Sequence, residues 1–495
     1  MRTTVIALLF AAMICIAGAQ TTRQNPPMAA SVNGKVNPAS CGNANAPSWC
    51  RGSDLGAWIN SAIASMPGNG APGSYGCGVI ELPYASLWSY TTPIVKPQCT
   101  LIDLNQASIG YTGTGSTASY PAITIQDSFG VSEPAPGGII NGRIFGGTGY
   151  SKIVPGSIGV MMGGLLSATP IPGFCQIPTT PPPAPLPPAT RYCSATVQTF
   201  SNLEVQNFED GWRFGGNTYV NYWSGVSTAG NINNFHFLSQ PNSNENQSMH
   251  GGAIFNSFAY GILVDPGAFA EVNTSGVSFN YSGKDTVYGP IHFSGTDDHF
   301  ENNNAGVHWF NCAGGGCSIH VKGGSAYLLG KLTSADAFGN FAGSNNQAIF
   351  DGVEWGIGSG NSLSQFFIWN DSSASSNLNF NHFRQGLVGL LSTTSLASVP
   401  VYSTSGSPPA IFRSDTTLGG IPGTKFLASC GSMTTTASAS DAISCSWVTA
   451  SSVCTVTPSN STSVAWSYFV PTAGSVTVYH APTAGATYAI ACSAN

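Results

Sequence analysis

Ionisable side chains are scarce in this sequence, so the places where they gather are informative. The segment Asp297-Asp298-His299-Phe300-Glu301, with His292 upstream, holds three carboxylates in five residues. Two carboxylates about 5–9.5 Å apart can cleave a glycosidic bond, one as acid and the other as base or nucleophile. Asp297 and Asp298 are therefore the candidate catalytic residues. Neighbours in an extended strand point to opposite faces, so both can work only if they lie in a loop. The same cluster would also suit a structural Ca²⁺ site or a solvated turn. No other cofactor is expected.

A second set of residues comes from a repeat. An Asn beside an aromatic or apolar residue recurs at Asn207, Asn233, Asn256, Asn280 and Asn302, at spacings of 26, 23, 24 and 22. Several open one phrase, an Asn followed four or five residues on by Gly and an apolar residue: Asn207–Gly211–Trp212, Asn256–Gly261–Ile262, Asn302–Gly306–Val307 and Asn381–Gly386–Leu387. Periods of this size mean stacked solenoid units. A period near 24 with short strands and no helix predicts a parallel β-helix of about a dozen coils. Stacked Asn side chains would run from coil to coil at ~4.8 Å. Counted from each Asn, Asp210, Arg213, His236, Tyr260, Lys284, Asp285 and His308 fall within a few positions of one another. In register they would form a column about 20 Å long, a length that suits an oligosaccharide, with Trp212 and Tyr260 as stacking faces. Turn loops also collect polar residues without any ligand, which is the plainer reading of the same column.

The elements that must position these residues are nearly all strands. One helix is expected over 54–66, where Leu55, Trp58, Ile59, Ala62, Ile63 and Met66 form an apolar stripe. Ser53 or Asp54 can cap it, and Pro67-Gly68 ends it. Short β-type runs follow at Val79–Leu82, Leu101–Leu104, Ala122–Ile125 and Ile139–Phe145. A solenoid's first coil exposes an open edge, and an amphipathic helix can cover it. The expected class is all-β, with a helix at its head.

Composition narrows the function. Of 495 residues only 7% are charged, 15 Lys+Arg against 21 Asp+Glu, so the net charge of −6 supplies no field for gripping phosphates. Nucleic acid is not an expected partner. With 42% hydrophobic residues the chain also lacks the signature of disorder. Arg2 followed by the apolar run Val5–Ile16 and Ala17-Gly18-Ala19 reads as a secretory signal over 1–19, too short to span a bilayer. The expected location is therefore secreted or extracellular, the cell surface included. Twelve cysteines remain after Cys15, an even number that suits disulfides in an oxidising compartment. Spacing suggests Cys41 with Cys50, Cys77 with Cys99, Cys175 with Cys193, and Cys312 with Cys317. Cys430, Cys445, Cys454 and Cys492 crowd the C-terminal end. Nine prolines in 169–190 read as an excursion from one coil. Short alternating runs near the C-terminus predict a small disulfide-bonded β-sandwich. The division expected is 1–19, an N-terminal segment 20–50, the β-helix over 51–414 and the sandwich over 415–495.

The head of the chain resembles a known family. Leu55-Gly-Ala-Trp-Ile-Asn-Ser-Ala-Ile, then Gly78-Val-Ile-Glu-Leu-Pro83, Thr92-Pro-Ile-Val and Cys99-Thr-Leu-Ile-Asp-Leu are similar to the head of pectate-lyase-like right-handed parallel β-helices. The likeness is to the branch joining polygalacturonase-type enzymes and phage tailspikes, and it extends over roughly 50–390. It implies a right-handed parallel β-helix, and an activity on polysaccharide as a glycoside hydrolase or lyase. Polygalacturonase-type enzymes carry Asn-x-Asp, Asp-Asp, Gly-His-Gly and Arg-x-Lys in order, whereas this chain has only Gly295-Thr296-Asp297-Asp298. Its His250-Gly251 precedes that pair instead of following it. The alternative expectation is a non-catalytic, adhesin-like glycan-binding protein using the same surface.

Overall fold

A computed structural model describes residues 54–65, the coils discontinuously between 78 and 414, and the C-terminal part discontinuously from 428 to 492, with a short strand Lys35–Val36 ahead of them. The signal segment, the proline-rich stretch 169–190 and the side chains of Cys41, Cys50, Cys77, Cys175 and Cys193 lie outside the described residues.

The coils build three parallel sheets, with one strand per sheet in most coils and, at Gly137–Gly146 and Gln198–Gln206, one continuous strand that serves the first and second sheets together. One coil runs Ala270–Ser275, Ser278–Asn280, Val287–Tyr288, and the next runs His292–Thr296, His299–Asn302, Phe310–Cys312. Val272 pairs with Phe293, Phe279 with Phe300, and Val287 with Phe310, so a whole turn advances by one strand spacing. Parallel strands joined this way wind right-handed, and the chain is a right-handed parallel β-helix. Among the described residues the third sheet has eleven strands, close to the dozen coils expected. The repeat is less regular than a period of 24. Successive partners lie 23 residues apart at Asp210 and Asn233, but 35 apart at Phe367 and Tyr402.

Inward residues pack on their own counterparts in the next coil. Phe214 stacks on Phe237 at 4.2 Å, Phe279 on Phe300 at 4.8 Å, and Trp212 lies parallel to Phe235 at 6.0 Å. Each such ring contributes about 1.5–3 kcal/mol by leaving water. Trp212 is fully buried in this stack, so it cannot serve as the outer stacking face expected of it.

The coils turn through a left-handed backbone bend between the first and second sheets. One residue per coil takes it: Asn141, Asn202, Gly225, Gly251, Gly276, Asp297, Gly323, Gly352 and His382, all with φ between 47° and 67°. The amides of the six from Gly225 to Gly352 donate to the next coil, as in Gly276 N to Thr296 O and Asp297 N to Lys322 O. This column corrects the asparagine ladder. Asn207, Asn256 and Asn302 share a column at the next corner with Gly230 and Tyr281 between them, Asn280 is one position short, and Asn233 sits on the third sheet opposite Asp210. The corner needs a backbone conformation, which Gly and Asn both supply, and it does not need stacked amides. One true amide contact does occur in the bend column, Asn202 Nδ2 to Asn141 Oδ1 at 3.2 Å.

The helix spans Leu55–Ser65 and buries Leu55, Ile59, Ala62 and Ile63 against the strands Leu87–Tyr90 and Ile94–Pro97. Gly56 lets it come this close, since a Cβ there would meet the Thr92 carbonyl oxygen at 1.9 Å. Trp58 is half-buried, edge-on to Trp88. Asp54 is the cap: its Oδ1 accepts from Ala57 N at 2.9 Å, and its Oδ2 accepts from Thr91 N and Oγ1 and from Thr92 N.

At the C-terminal end two three-stranded antiparallel sheets share a core that includes Val456, Val476, Val478, Tyr488 and Ile490. The strand Ala428–Thr434, absent from the sequence reading, completes one of them. Disulfides join Cys430 to Cys445, Cys454 to Cys492, and, in the coils, Cys312 to Cys317; Cys99 is also bonded.

Partial burial of Asp54 raises its pKa, but hydrogen bonds from Ala57, Thr91 and Thr92 outweigh it and hold the carboxyl at about 2, below its ordinary 3.8. Its contribution is present above pH 3.8 and is lost as pH falls toward 2. Asp54→Ala should therefore cost about 1–2 kcal/mol at neutral pH. Chemical denaturation at pH 7 and near pH 2 checks this: the gap to wild type should shrink at the lower pH, and a gap of undiminished size would contradict it.

Candidate functional site

Asp297 and Asp298 together form the two-residue corner between the strands His292–Thr296 and His299–Asn302. Asp297 takes the left-handed bend and keeps its side chain in solvent. Asp298 turns inward and is 1% exposed, its Oδ1 accepting from Val277 N at 2.8 Å and its Oδ2 from the Thr274 hydroxyl. Burial pushes its carboxyl up to about 6, against the lowering effect of those two hydrogen bonds, with the Asp297 charge adding to the rise. One carboxylate faces out and the other in, so the two do not meet at a common space. Glu301 is engaged elsewhere, by the Tyr281 hydroxyl at 2.6 Å and His299 Nε2 at 3.2 Å. The three carboxylates of the cluster do not converge as a Ca²⁺ site would require. Among the described residues, no group of three or more His, Cys, Asp or Glu is placed to hold a metal ion.

The column read from the repeat is brought together, on the outer flank of the third sheet. Asp210 pairs in register with Asn233, and Arg213 with His236. Asp210 is fully buried, and it accepts from Asn233 Nδ2 at 2.8 Å, from Arg213 Nε, and from His236 Nδ1 at 2.8 Å. His236 Nε2 reaches Asp265 Oδ1 at 3.1 Å, so one imidazole bridges a buried carboxylate and a solvent-facing one. Burial opposes the charged imidazole, yet the Asp210 and Asp265 carboxylates outweigh it and raise its pKa above 6.5. Burial would raise the Asp210 carboxyl as well, but His236, Arg213 and Asn233 hold it below 3.8.

Farther along the same flank, Asp285 Oδ1 accepts from His308 N at 3.0 Å and Nδ1 at 2.8 Å, and its Oδ2 accepts from Asn311 Nδ2 at 2.8 Å. Lys284 lies over the Tyr260 ring at 5.4 Å, and the Tyr260 and Tyr288 rings are 5.0 Å apart. Asp265 and Tyr288 were missed by the sequence reading. Asp265 lies nine residues beyond Asn256, outside the few positions counted from each Asn, and Tyr288 joins only through the pairing of Leu263 with Tyr288.

Two further features depend on register and left no linear signal. On the outer side of the second sheet, His299 Nδ1 lies 2.7 Å from Ser325 Oγ, with Tyr327 donating to Glu354 on the following coil. A groove of about 640 Å³ lies along the first bends, lined by Asn141, Arg143, Asn202, Glu204 and Ser227 among others, with Arg143 and Glu204 ion-paired at 2.8 Å.

No family model and no curated protein matches the chain. Solved structures do. The tailspike protein gp49 from Pseudomonas phage LKA1 is 10% identical, covering 84% of this chain and 67% of its own, with a TM-score of 0.42. The enzymatically active domain of bacteriophage CBA120 tailspike protein 2 is 12% identical, covering 93% and 70%, with a TM-score of 0.41. A variant of DFA-IIIase from Arthrobacter chlorophenolicus A6, in complex with DFA-III, is 11% identical, covering 77% and 94%, with a TM-score of 0.42. The β-helix itself rests on the strand register described above.

The bridged imidazole has a measurable consequence. His236 should titrate above 6.5, and its stabilising effect should be present below that pH and fade as pH rises through the raised value. Two-dimensional NMR of the imidazole checks it. Asp265→Asn should lower the midpoint while the fold persists; an unchanged midpoint would show that the Asp265 contact carries no charge coupling.

Proposed function

We propose that this chain is a secreted, polysaccharide-active β-helix protein that lays a glycan along the outer flank of its third sheet. The observation that carries this reading is the gathering of Asp210, Arg213, His236, Asp265, Tyr260, Lys284, Asp285, Tyr288 and His308 over five coils of a chain in which only 7% of residues are charged. Five coils extend about 20 Å, the span of several sugar rings. The Tyr260–Tyr288 pair offers ring faces for stacking on sugars, and Lys284 supplies positive charge for an acidic residue of the glycan. Asp265 is the carboxylate of the flank with a partly exposed side chain and a histidine partner, which suits a proton-transferring group in a glycoside hydrolase or lyase.

A second reading, binding without cleavage, is favoured by a specific observation. Asp210 and Asp285 have both oxygens engaged by donors from neighbouring coils, as carboxylates that brace a surface do. Disulfides accord with a location outside the cytoplasm, and no helix among the described residues is long and apolar enough to cross a membrane.

Reducing-end release and absorbance near 235 nm, over a panel of acidic and neutral polysaccharides, separate the readings. A hydrolase raises the first alone, a lyase raises both, and a binder raises neither yet is retarded in affinity gels containing the glycan. Asp265→Asn should lower turnover by ~10²–10⁴-fold, and Tyr260→Ala with Tyr288→Ala should weaken retardation. Absence of both cleavage and retardation across the panel would overturn the proposal.

A further inference from the structure

The second sheet carries an arrangement that the glycan-binding flank does not use. His299, in the strand His299–Asn302, and Ser325, in the strand Ser325–Leu328, are direct partners on adjacent coils. Ser325 Oγ lies 2.7 Å from His299 Nδ1, and His299 Nε2 lies 3.2 Å from Glu301 Oε2. An ionised carboxylate only accepts hydrogen bonds, so Nε2 carries the imidazole proton. The Nδ1 lone pair then faces the serine hydroxyl. The tautomer follows here from the partners. The Tyr281 hydroxyl donates to Glu301 Oε1 at 2.6 Å, which fixes the carboxylate in place.

The backbone serves the same end. Gly323 and Gly324, with φ of 67° and 71°, turn the chain sharply and deliver Ser325 as the first residue of its strand. A Cβ on Gly324 would meet the Asp298 carbonyl oxygen at 2.0 Å, so the turn is closed to other residues. The His299 side chain is 38% exposed, so the ring can be reached from solvent.

We propose that Ser325, His299 and Glu301 form a nucleophile, a general base and a positioning carboxylate that cleave small acyl esters. Ser325 Oγ attacks the ester carbonyl carbon while its proton passes to His299 Nδ1. The tetrahedral adduct collapses, the C–O bond to the alcohol breaks, and the alcohol leaves with the proton from Nδ1. Water, activated by the same nitrogen, then attacks the acyl-serine and releases a carboxylic acid, restoring Ser325. Glu301 holds the ring and stabilises the imidazolium formed in each half. The ester chemistry stands apart from the glycan reading, which would add only the alcohol, a hydroxyl of the sugar chain.

The full chain is treated with a fluorophosphonate probe and assayed with p-nitrophenyl acetate. The labelled peptide should contain Ser325, and Ser325→Ala should abolish labelling. His299→Gln should lower acetate release by at least ~10²-fold. Glu301→Gln should cost less, lowering kcat for the acetate with its KM unchanged, because the amide oxygen can still accept from His299 Nε2. Unchanged thermal unfolding of these outward-facing variants shows that the fold persists; should Ser325→Ala unfold, Ser325→Cys replaces it and should shift labelling to thiol-reactive probes. No labelling of the wild type at Ser325, labelling unaffected by His299→Gln, or acetate release unaffected by Ser325→Ala would each overturn the proposal.

Discussion

One left-handed residue per coil holds this molecule in register. The bend between the first and second sheets must redirect the strand at a single residue, and L-residues with a Cβ resist that conformation by about 1–2 kcal/mol. The column from Asn141 to His382 meets the demand with glycine where it can and with Asn, Asp or His elsewhere. Because every bend occurs at the equivalent position, inward rings meet inward rings. Trp212 on Phe235 and Phe279 on Phe300 are consequences of that alignment.

The same alignment decides which polar groups meet outside. His236 can bridge Asp210 and Asp265 because three successive coils present those positions to one another. Ser325 can approach His299 for the same reason. In a chain with so few charges, each contact places a large share of the available ionisable chemistry on one flank. Most of these carboxylates are held by two or three donors, which fixes their geometry. Asp298 has two donors as well, but it turns inward, and burial raises its carboxyl to about 6.

Much of this was legible in the sequence, and what was not has a common cause. The helix could be read, and its cap narrowed to Ser53 or Asp54, because an apolar stripe and a capping residue are local signals. The solenoid could be read from its period. The asparagine phrase pointed to the right architecture for an incomplete reason. Asn207 and Asn256 do occupy left-handed corners, but Gly230 and Tyr281 fill the same role between them without an amide to show it. Asp297 and Asp298 looked catalytic because charge is rare, whereas a bend that tolerates Asp explains the first and an inward turn explains the second. The column from Asp210 to His308 was found because its spacing matched the period. The pairing of His299 with Ser325 was not, because a neighbouring coil is known only once the register is known.

Asp297 is a bend residue before anything else, and thermal unfolding of its variants tests this most directly. Asp297→Gly removes the Cβ penalty and the charge beside Asp298, so it should unfold at the wild-type temperature or above. Asp297→Val puts a β-branched residue into the left-handed bend and should cost at least ~1–2 kcal/mol. If Asp297→Gly destabilises the chain as much as Asp297→Val does, the carboxylate itself is what the corner requires, and the bend is not the constraint that sets the register.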